Sequence, residues 1–478
     1  GGIGGAGAVN LITSPETAGT GATVRGGSFG ELGGRLMVSG ADGAFDGTLL
    51  AHGHRADNDF EFTDHNQTFH RTDDDSVRTR ENAWVEEWGV WGAGRWTGKA
   101  TTVRVSAGHR RRDGGRPGPL GYESPHASVR YERTDAAVHL TALESDLRFL
   151  VAGSRSDDRL DDPEGETGGF SPPGTWRSEA RDATARLQWA GILMPGLLEA
   201  SAGLEGRGQW GVDSFREVEE PEKTRKQAAA SASLTVLAAA SRVQLTPSWR
   251  WQRTRDEFPG RPPLPWLDPE PAEAVERDDV SPALGAVWEV VRATLFLEGH
   301  LARTVRIPTW TELFGLQGGI MGNPELMPET VESADVAVSY RPSADLRVRL
   351  AAFHADTDDK IIFRQNSQKT SIAENIGGSR TRGLELELAA GLPADFALRV
   401  NGTWQEALDT SGDPAYDGKR LPFLPDGEIF GRLDWSGGNW KPWIEVAWMS
   451  ANFRDRYNTE LNEAPARTLL NLGVSHRW

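Results

Sequence analysis

The sequence predicts an all-β chain folded as a transmembrane antiparallel β-barrel of about 20 strands, with short periplasmic turns and long extracellular loops. Two observations carry that expectation. The first is a period of two. Val243, Leu245, Trp249 and Trp251 share one face of a stretch whose other face holds Arg242, Gln244, Thr246, Ser248, Arg250 and Gln252. Leu384, Leu386 and Leu388 alternate in the same way with Glu385 and Glu387, and Phe396, Leu398, Val400 and Trp404 with Arg399, Asn401 and Thr403. Successive side chains of a strand point to opposite faces, so each stretch has one apolar and one wet side. The second observation is that the connections alternate in length. Ala240-Ser241, Glu289-Val290-Val291, Pro342-Ser343-Ala344 and Ser436-Gly437-Gly438-Asn439 are short, whereas 57–83, 111–124, 159–176, 257–276 and 306–329 are long. A soluble sandwich also alternates polar and apolar residues, but nothing in its architecture sorts connections by length. A barrel sorts them onto two rims.

In chain order the alternation marks strands at 21–28, 31–40, 46–56, 84–95, 100–110, 125–143, 146–158, 177–190, 197–211 and 225–239. It continues at 241–256, 277–290, 292–305, 330–341, 345–363, 374–390, 395–409, 426–436, 440–454 and 466–478. An even count lets both ends of a closed barrel lie on one side.

Composition excludes several classes. The mean hydropathy of −0.49 leaves no stretch apolar enough for a membrane-spanning helix, whereas a barrel strand needs only about 9–11 residues, half of them apolar. Cysteine is absent, which removes disulfides, thiolate nucleophiles and thiolate metal ligands. A net charge of −17 disfavours nucleic acid as a partner. Eighteen Trp against five Tyr suits a chain with rings at a membrane interface. No nucleophile elbow, His-Glu-x-x-His pair or phosphate loop occurs, so an enzyme is not expected and no cofactor is implied. Gly1 to Gly7 lacks the basic start and apolar core of a signal peptide and reads as the interior of a longer chain.

Three segments carry a resemblance. They are Gly4-Gly5-Ala6-Gly7-Ala8-Val9-Asn10-Leu11-Ile12-Thr13; Arg303-Thr304-Val305-Arg306-Ile307-Pro308-Thr309-Trp310-Thr311-Glu312-Leu313-Phe314-Gly315 with Gly322-Asn323-Pro324-Glu325-Leu326-Met327-Pro328-Glu329; and Asn375-Ile376-Gly377-Gly378-Ser379-Arg380-Thr381-Arg382-Gly383-Leu384-Glu385-Leu386-Glu387. In this order they resemble the end of the plug, a characteristic loop and a late barrel strand of TonB-dependent outer-membrane receptors, nearest to cobalamin and ferric-siderophore receptors. The resemblance implies that residues 1–17 close a plug domain and residues 18–478 form the barrel. It further implies a location in the bacterial outer membrane, energy coupling to the TonB complex through the remainder of the plug, and a small metal chelate as ligand. A monomer in contact with lipid and lipopolysaccharide is the expected state. Family barrels have 22 strands. At the C-terminus two readings stand: truncation before the last two strands, or a natural end at Trp478 with Val474, Leu472 and Leu470 at alternate positions before it.

Candidate site residues lie in the long connections. Arg110, Arg111 and Arg112, after His109, would attract an anionic chelate or face lipopolysaccharide phosphates. Trp310 and Phe314 belong to the family-like loop, where the resemblance places ligand contacts. Asp57, Asp59 and Asp64, with His65, His70 and Asp73 to Asp75 nearby, offer hard oxygen ligands for calcium, although their spacing fits no known calcium loop. Arg347, Arg349, Glu385 and Glu387 read as lumen residues, and Trp84, Trp88 and Trp96 as lipid-facing rings. Trp91 has the opposite parity and points to the lumen.

Overall fold

The computed structural model describes residues 19–65, 72–118, 123–142, 144–167, 172–260, 271–315, 320–365 and 370–476. Twenty long strands and the two-residue strand Val218–Glu219 make one 21-stranded antiparallel sheet, each long strand pairing with its neighbours in sequence. Among the described residues Gly19–Gly26 pairs only with Leu32–Asp42, and Arg467–His476 only with Trp440–Met449. The expected count and order therefore hold, with shifts of a few residues at the ends. The expected strand at 345–363 stops at Asp358, because Asp359 turns into the left-handed region (φ 53°) and Ile361–Gln365 leaves to pair with Ser371–Asn375.

Two to four residues separate the strands at one rim, as between Asp42 and Phe45 or Leu392 and Phe396. At the other rim the connections carry their own small elements. These are the hairpin Glu61–Asp64 with Ser76–Thr79, the short helix Trp310–Phe314, and the three-stranded sheet of Ile320–Met321, Ile361–Gln365 and Ser371–Asn375.

Register fixes which residues share a face. Val243, Leu245, Trp249 and Trp251 stand opposite Trp288, Ala286, Pro282 and Val280 of the next strand. That row is exposed, with Trp249 at 44% and Trp288 at 49%. Its counterparts farther along, Leu301, Val336, Leu350, Leu384 and Trp404, are exposed as well. Exposure of so many large apolar residues on one side of a sheet is tolerable only if hydrocarbon covers that side. Aromatic rings border the band at the short-turn rim, where Trp96, Trp288, Tyr340 and Trp440 lie, and at the long-loop side, where Trp88, Trp404 and Trp448 lie.

The other face is paired and polar. Arg95 meets Asp46 at 2.5 Å, Arg207 meets Asp182 at 2.6 Å, Arg186 meets Glu205 at 2.7 Å, and Arg349 lies 3.3 Å from Glu298 and 3.8 Å from Glu387. Trp91 stands on this inner face beside Leu50 and Gly108, as its parity required. The accessible area of 28838 Å² compares with roughly 17,500 Å² for a compact soluble chain of this mass, as an open cylinder with a wetted interior demands.

Candidate functional site

The long-loop rim holds the chemistry. Its inner wall is anchored by a buried charge triad. Asp256, with no exposed surface, accepts from Arg225 at 2.5 and 3.1 Å and from Arg277 at 3.2 Å. Each arginine also reaches the 307–328 connection, Arg225 donating to the Pro308 carbonyl at 2.8 Å and Arg277 to the Leu326 carbonyl at 3.0 Å. The triad therefore straps that connection to the inner side of the wall. Arg306 adds a second clamp, donating to Glu329 at 2.7 and 2.8 Å and to Glu312 at 3.1 and 3.2 Å.

Within the strap, Thr309 caps the helix Trp310–Phe314. Its hydroxyl accepts from the Glu312 N–H while the Glu312 carboxylate accepts from the Thr309 N–H, which satisfies two otherwise orphaned donors. Leu313 and Leu326 then seal a cluster with Ile361, Ala373, Phe258 and Phe314. Asn323 donates to the Ala373 carbonyl at 2.8 Å, and Asn375 pairs with both the N–H and the carbonyl of Met327. Two of the three family-like segments thus latch onto each other.

The expected site residues fall into different surroundings. Trp310 packs on Phe314 (ring centroids 4.4 Å) and over Gly211 of the inner wall; a β-carbon at Gly211 would sit 2.5 Å from the Trp310 ring. Phe314 is half-buried against Phe258 at 5.1 Å. Gly211→Val is therefore expected to dislodge Trp310 and open the strap, raising the cleavage rate of the 307–328 connection in limited proteolysis several-fold while leaving barrel insertion intact; unchanged cleavage would refute the packing argument. The arginine run is split by the pleat. Arg110 and Arg112 lie on the inner face opposite Arg133 and Tyr131, in a polar patch with His52 and Glu87. Arg111 lies on the outer face, bonded to Asp113 at 2.6 Å and 3.4 Å from Glu132. That pair opens an outward belt continued by Arg130 with Asp113, Arg155 with Glu179, Arg253 with Asp278 and Arg255 with Glu276.

The aspartates do not converge among the described residues. Asp57 caps the first loop, its N–H donating to the Phe29 carbonyl at 2.8 Å and its carboxylate filling the space beside Gly30, which sits at φ 69°. Asp59 is exposed, and Asp64 accepts from Arg78 at 2.8 Å. His70 lies outside the described residues.

Two clusters had no signal in the sequence, because their members are far apart in it. On one side Arg456 bonds to Asp409 at 2.7 Å and stacks on Tyr416 at 3.8 Å, and the Tyr416 and Tyr457 hydroxyls are 2.9 Å apart. In the hairpin of Ile361–Gln365 with Ser371–Asn375, Arg364 donates to Glu374 at 2.6 Å. On the other side His126 meets Glu166 and Glu164.

The Arg364 guanidinium holds the Glu374 carboxyl below the usual carboxylate range, against a smaller opposing effect of burial. A depressed acid stabilises the fold above its unfolded pKa and loses that contribution as pH falls through the folded value. Amide protection of Ile361–Gln365 and Ser371–Asn375 is therefore expected to persist at neutral pH and to fall below the ordinary Glu range of about 4.3, more in the wild type than in Glu374→Gln. Equal pH profiles for the two would exclude the pair as the cause.

The chain as a whole is similar to known proteins. The sequence matches the family described as "TonB dependent receptor-like, beta-barrel" over residues 41–478. An iron-regulated outer membrane virulence protein of Vibrio cholerae serotype O1 is 24% identical over 184 residues, which is 35% of this chain and 28% of that protein, so the chain aligns with well under half of this curated relative. Among solved structures, the copper transporter OprC superposes with a TM-score of 0.76 at 14% identity, covering 97% of this chain and 75% of that one. The FrpB iron transporter of Neisseria meningitidis gives 0.74 at 13% identity, covering 96% and 73%, and the siderophore receptor PiuA of Acinetobacter baumannii 0.71 at 12%, covering 96% and 74%. At such identities the superpositions speak for the fold, and the family match for kinship. The chain is an outer-membrane protein and belongs to the TonB-dependent receptor-like β-barrel family.

Proposed function

We propose that this barrel serves an outer-membrane receptor that imports a small metal chelate, a ferric siderophore or cobalamin, with energy supplied by the TonB complex through an N-terminal plug that residues 1–17 conclude. Residues 18–478 are the barrel in this reading, and the protein acts as a monomer. The observation that carries it is the inward strap. A receptor needs a fixed surface at its mouth, and the buried charge triad fixes this connection to the inner wall. Family kinship supports the same reading.

Arg110 and Arg112 on the inner face, with Trp310 and Phe314 on the strap, are the proposed ligand contacts. Coulomb focusing in a cleft draws an anionic chelate toward such cations. Arg111 and the outward ion-pair belt stand where lipopolysaccharide headgroups would lie.

The test is binding of ferric chelates and cobalamin to the full-length receptor in detergent, with residues 57–83 deleted as comparison and uptake measured with and without TonB. Saturable binding that weakens on deletion, with TonB-dependent uptake, is the expected result. Full affinity after deletion would remove that connection from the site. Uptake indifferent to TonB would favour the alternative, a passive channel or surface adhesin.

A further inference from the structure

We propose that His126, Glu164 and Glu166 form a binding site for a divalent first-row transition ion of the zinc or copper class, held between two connections of the long-loop rim. The inference goes beyond chelate import and does not rest on it.

The two carboxylates converge on one imidazole nitrogen. Nδ1 of His126 lies 2.8 Å from Glu166 Oε1 and 3.4 Å from Glu164 Oε2. One donor atom from each residue falls within 4.8 Å of the others. Without a metal a protonated imidazole pairs with both carboxylates; a divalent ion taking the place of that proton at Nδ1 would draw one oxygen from each. With metal–nitrogen and metal–oxygen bonds of about 2.0–2.2 Å and tetrahedral angles, donor atoms stand roughly 3.3–3.5 Å apart, which the observed separations bracket.

The donors sit on built segments. Asp162, 1% exposed, accepts from the N–H of Glu166 at 2.7 Å and from the N–H and hydroxyl of Thr167, which shapes the turn that presents both glutamates. On the facing segment Asn82 donates to the carbonyls of Ser124 and Ala127 at 2.6 and 2.7 Å, on either side of His126. The His126 N–H donates to Glu166 Oε2 at 3.0 Å, which turns Oε1 of the same carboxylate toward the ring.

Ligand chemistry selects the ion. Calcium and magnesium take all-oxygen shells, whereas an imidazole with two carboxylates suits zinc, copper or nickel. Three protein ligands leave a fourth position open to water or to a donor from an incoming ligand.

The experiment titrates the purified protein in detergent with Zn²⁺, and separately with Cu²⁺, against a chromophoric competing chelator, with 1 mM-scale calcium present. One saturable equivalent, undisturbed by calcium, is expected. Glu164→Gln, a change at an exposed side chain that cannot unfold the loop, should weaken binding about tenfold or more, and His126→Ala further still, while Glu445→Gln in the lumen leaves it unchanged. The proposal is overturned by absence of saturable binding in the wild type, by wild-type affinity in both site variants, by an equal loss in Glu445→Gln, or by displacement with calcium. None of these readouts depends on transport, so failure here leaves the import reading standing, and the reverse.

Discussion

Asp256→Ala is expected to destabilise the protein by about 3–5 kcal/mol, the largest single effect at the rim, because it strands a buried cation. Arg225 is 3% exposed, and its guanidinium is met by both oxygens of Asp256. With the carboxylate gone, the hydrogen-bond acceptor left to that charge among the described residues is the Pro308 carbonyl, and the one left to Arg277 is the Leu326 carbonyl. Neither carbonyl carries a compensating charge, so both arginines gain by swinging toward water and releasing the strap. The expected measurement is a lower midpoint of thermal unfolding in detergent together with faster proteolysis between 307 and 328. Asp256→Asn keeps an acceptor of the same shape without the charge and should fall between wild type and alanine. An unchanged midpoint in Asp256→Ala would mean that the triad is dispensable and that the strap is held by the Leu313 and Leu326 cluster alone. If the import reading is correct, the same substitution lowers chelate affinity without touching any residue proposed to contact the ligand.

The barrel was legible in the sequence because its two defining regularities are local. Parity along a single strand sorts Leu384, Leu386 and Leu388 from Glu385 and Glu387, and register only carries that sorting across to Leu350 and Arg349. Parity also foretold the inward turn of Trp91. The same rule sends Arg110 and Arg112 inward and Arg111 outward, so three residues that read as one cationic cluster serve two surfaces.

The rim was less legible because its contacts are long-range. Asp256 and Arg225 are 31 residues apart, Arg225 and Pro308 83, and His126 and Glu166 40. No spacing rule spans such distances. The family-like segments around Asn323 and Asn375 were visible as motifs, but only the fold shows that they bind each other. The aspartates near residue 60 illustrate the converse: a dense local cluster of carboxylates whose members turn to a glycine turn, to solvent and to Arg78.

The orientation of the sheet yields the second large effect. Val336 is 63% exposed and stands on the outward row midway between Tyr340 and Glu332, opposite Gly299 and Ala352. Val336→Arg places a charge in the hydrocarbon band, where a guanidinium near the midplane costs about 2–4 kcal/mol. Gln252→Arg puts the same side chain on the inner face, beside a water-accessible cavity of about 410 Å³ lined by Arg186, Glu205 and Asp279, and should cost little. The side chain is common to the pair, so their difference isolates the solvent that each face meets. Folding into bilayers of defined composition and equilibrium unfolding by denaturant would measure both. A soluble sandwich, with Val336 in a protein core, would rank the two variants the same way, and the 63% exposure of Val336 excludes such a core. Equal costs for the two variants would mean that neither face meets hydrocarbon, and the assignment of inside and outside would fail with them.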